Sequence, residues 1–335
     1  MKPIQPAFPK FFAPGPVLLS AMLAWASSAA GIDFTAIKSP IILQGDSTKS
    51  YRDPAVTCHD GVFRLFCTLI RPEADGRWYL YTVESKSTNL VDWTEPRVLT
   101  PRDLSLNFCS PGNVVRFGNE WILCLASYPR PNGERYGNTN ARVWIMRSKD
   151  LDNWLPPELL KVKGPDVPFD RMGRMIDPYL FQDKDDPGKW WCFYKQNGAS
   201  LSWSRDLKTW NYSGHVDAGE NVCVLVENGE YVMFHSPTNG IGIKRSRDLK
   251  TWRDDGCITL GQKDWPWANG RLTAGFVLDL RQEPDVGKYL MFFHGSGPES
   301  VRTSFGSLGL AWSDDLVNWD WPGKIATNTF SGKIK

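Results

Sequence analysis

Ser204-Arg205-Asp206-Leu207-Lys208-Thr209-Trp210 returns almost unchanged as Ser246-Arg247-Asp248-Leu249-Lys250-Thr251-Trp252. Looser copies begin at Ser87, Ser148 and Ser313, and all five read Ser-x-Asp/Asn-Leu-x-x-Trp. The copies end on Trp93, Trp154, Trp210, Trp252 and Trp319. A fixed motif at uneven intervals marks a repeated structural unit whose loops vary in length.

Each unit holds short apolar runs separated by turn residues. In the third, Ile176–Phe181, Trp190–Tyr194, Leu201–Trp203 and Gly214–Val216 flank a turn at Asp185-Asp186-Pro187-Gly188. Aromatic and β-branched runs of this length predict a four-stranded antiparallel meander. Asp60-Gly61 and Asn228-Gly229 supply hairpin turns in the first and fourth units. Five such units without a convincing helix predict an all-β fold, a five-bladed β-propeller of four-stranded antiparallel blades. In this scheme the motif's Ser and Asp or Asn bond the backbone at the turn from third to fourth strand. Its Leu and Trp fill the space between blades. Five equivalent copies identify the motif as scaffold rather than a binding signature.

The chain has 335 residues and 16 Trp. Residues 1–30 read as a signal peptide: Lys2 and Lys10, an apolar run from Val17 to Trp25, then Ser28-Ala29-Ala30. The propeller is assigned to 31–335, and the expected location is secreted or periplasmic. No later stretch is apolar and long enough to span a membrane. Beyond the signal, acidic and basic residues balance, which disfavours nucleic acid as a partner. The seven Cys include six in strand-like runs, where they read as small core residues. No Cys-x-x-Cys appears and the four His are scattered, so no zinc site is indicated.

In a propeller the inner strands all start near the axis, so residues far apart in sequence converge there. The predicted starts are Arg52-Asp53-Pro54, Ser110-Pro111-Gly112-Asn113, Ile176-Asp177-Pro178, Gly219-Glu220-Asn221 and Asn269-Gly270-Arg271-Leu272-Thr273. Three of them bring carboxylates, taken as being in register. A buried acid is costly unless used or paired. Convergent carboxylates are the equipment of glycoside hydrolysis, with one group as acid and another as base or nucleophile. A third can raise its neighbour's pKa.

With Asp-Pro in blade one, Ile-Asp-Pro-x-x-Phe in blade three and a Glu in blade four, the chain resembles the five-bladed glycosidases of glycoside hydrolase family 43. Families 32, 68, 62 and 117 are structural relatives. The resemblance implies Asp53 as general base, Asp177 as modulator of the acid and Glu220 as general acid, in an inverting reaction. It also implies a plant or algal oligo- or polysaccharide substrate bearing an arabinose-, xylose- or galactose-type residue. No organic cofactor is implied. Blade four departs from the family's usual Glu-Gly-Pro, reading Glu220-Asn221-Val222. Invertase-like relatives carry Asn-Asp-Pro-Asn-Gly, Arg-Asp-Pro and Glu-Cys; in such an enzyme Asp53 would be a nucleophile and configuration retained. A non-catalytic sugar-binding propeller is the other alternative. Candidate substrate contacts are Arg52, Phe108, Arg174, Trp267 and Arg271, the last where family 43 often has a funnel Arg. His235 and His294 hold matching places late in the second strands of blades four and five. Some relatives keep a calcium ion on the axis with a His nearby, which makes a structural calcium there a further expectation.

Overall fold

The computed structural model describes residues 31–298 and 305–324; the expected signal peptide at 1–30 lies outside the described residues. Five antiparallel sheets follow one another in chain order. Blade one is Ser50–His59, Val62–Pro72, Trp78–Ser87 and Arg97–Val98. Blade two is Phe108–Phe117, Glu120–Ser127, Val143–Ser148 and Glu158–Leu159. Blade three is Ile176–Gln182, Trp190–Lys195, Ala199–Ser204 and Asn211–Val216. Blade four is Glu220–Glu227, Glu230–Ser236, Ile241–Ser246 and Arg253–Ile258. Blade five is Arg271–Leu280, Lys288–Ser296 and Ser307–Ser313. Its outer edge comes from both ends of the described chain: Ile41–Leu43 and Trp319–Asp320 each pair with Ser307–Ser313. The N-terminal segment thus closes the ring.

Second strands are apolar on both faces because blades stack against blades. Ile122–Ala126, Val232–Phe234 and Leu290–Phe293 are fully buried. A strand covered on both sides needs no alternation, so these segments read as continuous apolar runs. The outer strand of blade four, Arg253–Ile258, is almost wholly exposed.

The repeat motif does the work assigned to it. In all five copies the Asp or Asn Oδ1 accepts two backbone N–H groups, at 2.8 and 2.7 Å for Asp206. The motif leucine takes a left-handed φ, from 56° to 65°, and is buried in every copy. Four of the tryptophans donate from Nε1 to that leucine's carbonyl at 3.1–3.2 Å. The indoles also reach the preceding blade. Trp154 meets Phe66 edge-on, Trp252 meets Phe193, and Trp93 meets Phe292 of blade five. Each contact rivets two blades at a distance, 5.7–6.2 Å, suited to aromatic edge-to-face packing.

The cysteines are all free; five are buried, Cys58 is partly so and Cys257 is exposed. Most are therefore the small core residues expected.

Candidate active site

Every inner strand is broken at the same place. The register slips between Arg52 and Ala55, Cys109 and Asn113, Ile176 and Tyr179, Glu220 and Cys223, and Thr273 and Phe276. At each slip one residue adopts a left-handed φ of 46–53°: Asp53, Ser110, Asp177, Asn221 and Ala274. Bulges re-aim side chains. Here they bring five equivalent positions together at the axis. A left-handed backbone costs an L-residue roughly 1–2 kcal/mol, least for Asn and Asp, so conformation as well as chemistry favours the acids and the amide. Prolines follow in blades one to three, where the inner strand's free edge requires no N–H donor.

This geometry corrects the predicted register. Asn221, not Glu220, is the blade-four equivalent of Asp53 and Asp177, and Ala274, not Arg271, is that of blade five. Glu220 stands one residue earlier, level with Arg52 and Thr273. The departure from Glu-Gly-Pro has a physical reading too: Asn221 holds the positive φ that a Gly would adopt freely, and Asn is among the few residues that tolerate it.

Below these positions the five inner strands enclose an axial cavity of about 20 Å³, lined by Asp53, Asp177, Asn221, Ala274 and their neighbours. That is room for about one water. Gly112 is required there, because a Cβ would overlap the Pro178 carbonyl oxygen.

Asp53 is half-buried and well supplied with donors. Thr68 Oγ1 donates to Oδ2 at 2.9 Å, Ser110 Oγ at 3.2 Å, and Asn221 Nδ2 donates to Oδ1 at 3.3 Å. Ser236 Oγ holds the other end of Asn221, donating to its Oδ1 at 3.2 Å while accepting from Ala274 N at 2.8 Å. One chain of bonds therefore runs from blade five through blade four to the blade-one carboxylate. Burial raises the Asp53 pKa, opposed by the Arg52 guanidinium and the Thr68 hydroxyl, with the Glu220 charge adding to the rise. Asp177, 6% exposed, is pushed well above the usual carboxylate range, first by burial and then by the charges of Glu220 and Asp53. Glu220 is half-buried at the mouth, and its Oε1 accepts from Arg271 Nη2 at 3.1 Å.

The other candidates divide. Arg52 is exposed beside Asp53. Arg174 lies at the same end, 5.6 Å from the Tyr128 ring, with Nε donating to the Gly137 carbonyl. His235 is buried and neutral, its pKa lowered to about 4 by burial and then by Lys244. Its Nδ1 accepts from Gly219 N at 3.0 Å, so it fixes the turn that presents Glu220 rather than facing substrate. Phe108 is 2% exposed and packs edge-on against Trp144; it belongs to the core and does not line the mouth. Trp267 stacks on Phe293 and lies over Gly295 and Gly309. It also stacks on Trp265 and keeps part of its surface exposed.

His294 is 3% exposed, with both ring nitrogens unpartnered among the described residues. Burial, Arg52 and Arg271 hold it neutral. These surroundings do not fit the expected calcium. Two guanidiniums beside the imidazole repel a cation, and among the described residues no three His, Cys, Asp or Glu side chains converge as ligands. Thr68, Ser110, Asn221 and Ser236 were missed as site residues. Ser110-Pro111, aligned with the two Asp-Pro starts, was a signal for one of them; the others show only through the bulge and its hydrogen bonds.

No protein-family model matches the sequence, and no curated protein matches it. Solved structures do. A thermostable family-43 glycoside hydrolase superposes with a TM-score of 0.56 at 16% identity, covering 82% of this chain and 92% of the other. An exo-1,5-alpha-L-arabinanase from a bovine ruminal metagenomic library gives 0.52 at 14%, over 80% and 95%. A family 117 glycoside hydrolase of the marine bacterium Zobellia galactanivorans gives 0.57 at 16%, over 84% and 90%. In fold, the chain is similar to these glycoside hydrolases.

Proposed function

We propose that this chain is an exported glycoside hydrolase that cleaves plant or algal oligo- or polysaccharides by single displacement with inversion. The observation that carries the reading is the meeting of three carboxyl groups from three blades in three different environments. Asp53, held by three side-chain donors, is the base. It takes a proton from a water whose oxygen attacks the anomeric carbon. Glu220 gives its proton to the glycosidic oxygen as the carbon–oxygen bond breaks. Asp177, more buried than Glu220, takes the modulating role that the resemblance gives it. It keeps a proton within the cluster. The greater exposure of Glu220 favours it over Asp177 as the group that reaches the leaving oxygen. The arabinose-, xylose- or galactose-type residue follows from the resemblance, and one of the similar structures is an arabinanase.

Reducing-sugar release from a glycan panel tests this. Asp53→Asn and Glu220→Gln should each lower kcat by about 10²–10⁴-fold, with the fold unchanged by circular dichroism. An aryl glycoside with a good leaving group should recover activity in Glu220→Gln more than in Asp53→Asn, because only the acid becomes dispensable. Wild-type sugar binding without turnover on any glycan would leave a binding propeller in place of an enzyme.

A further inference from the structure

One group of polar side chains at the mouth is left unused by hydrolysis. His294 and Thr273 lie opposite each other in register on blade five, 3% and 2% exposed. Among the described residues, both His294 nitrogens, Thr273 Oγ1 and Arg271 Nε have no hydrogen-bond partner. Arg271, two residues before Thr273, points to the same side of its strand. Arg271 reaches Glu220 through Nη2 alone. Blade one adds Arg52, which has no carboxylate oxygen within ion-pair distance among the described residues. Gly306 joins the two walls: a Cβ there would stand 3.1 Å from His294 Nε2, 3.3 Å from Arg52 Cγ and 2.7 Å from the Tyr51 carbonyl oxygen. Only a glycine leaves the space between Arg52 and His294 open.

The set is rich in donors and poor in acceptors. Arg52 and Arg271 donate only, Thr273 can donate, and a neutral imidazole donates from one nitrogen. An unpartnered buried polar group costs roughly 1–3 kcal/mol, so a partner bearing several acceptors is favoured. Two guanidiniums add a positive field and select oxyanions, to which they bond more strongly than to neutral oxygens. We propose that Arg52, Arg271, Thr273 and His294 form an anion subsite, and that the sugar bound at the mouth carries a carboxylate or a sulfate ester. This rests on the glycosidase reading for its sugar, but not on turnover.

Binding of free monosaccharides to the full-length exported chain tests it, measured by calorimetry or ligand-observed NMR. The probes are galacturonate, galactose 6-sulfate and galactose, with glucuronate, glucose 6-sulfate and glucose as a second set. At least one acidic sugar should bind about tenfold or more tightly than its neutral counterpart, as a charge-assisted contact would give. Arg52→Gln should abolish that preference, bringing the acidic sugar's affinity down to that of its neutral counterpart. A winning uronate assigns the subsite to carboxylates, and a winning sulfate to sulfate esters. No acid-over-neutral preference in either set, or a preference that survives Arg52→Gln, overturns the proposal. Acidic sugars that bind to a chain hydrolysing no glycan would end the hydrolase reading and leave the subsite standing.

Discussion

At the scale of single residues, Asn221 explains more of the site than its position beside Glu220 suggests. Its backbone accepts a left-handed φ of 51°, and its amide links Ser236 to Asp53. Two substitutions separate these contributions. Asn221→Gly keeps the φ and loses the amide. Its stability should stay close to wild type, while kcat falls about tenfold, the size of one hydrogen bond to a charged group. Loss of a donor to the carboxylate also raises the Asp53 pKa, so the acidic limb of the kcat/KM profile should move to higher pH. Asn221→Ala loses the amide and keeps the strain, and its unfolding midpoint should drop as well. Equal pH profiles for wild type and Asn221→Gly would show that the amide does not tune the base.

At the scale of elements, the repeat unit combines a strained leucine, an Asx-type turn and an aromatic rivet. Trp210, 2% exposed, sits in the cluster between blades two and three with Leu180 and Tyr194. Trp210→Ala should cost about 3–5 kcal/mol, read as a lower urea midpoint. Asp206→Ala should cost less, since only turn bonds at an exposed site are lost. These units were legible because their signals are local: Asp-Gly and Asn-Gly turns, apolar runs and the five tryptophans. The inner-strand starts were legible only to within one residue. A bulge leaves no mark in an alternation pattern, so Glu220 was placed in line with Asp53 although Asn221 holds that position. Burial direction failed in the same way: Phe108 stands near the mouth in sequence, yet turns its ring into a blade. The closing strand Ile41–Leu43 is three residues long, too short to show any period.

At the scale of the molecule, closing the ring forces three carboxyl groups and a neutral histidine into one enclosed end, and stability must then depend on pH in two opposite ways. His235 titrates near its ordinary 6.5 when unfolded and at about 4 when folded. Between those values the unfolded chain binds a proton that the folded chain refuses. The stabilisation is complete above pH 6.5 and is lost as pH falls through about 4, on the order of 3 kcal/mol. His235→Gln supplies an oxygen acceptor for Gly219 N–H without titrating, so its urea midpoint should change less between pH 7 and pH 4.5 than that of wild type. Asp177 works in the other direction. Its folded pKa is raised, so its contribution is fully present below about 3.9, the unfolded value, and declines as pH rises through the folded one. Asp177→Asn keeps the shape and removes the buried charge. It should be more stable than wild type at pH 8, should lose that advantage at pH 4, and should be far less active throughout. Such a gain in stability with loss of turnover marks a residue kept for function against the fold's interest. A variant less stable than wild type at pH 8 would mean that Asp177 is ionised and well paired in the folded chain, which removes its part in holding the proton.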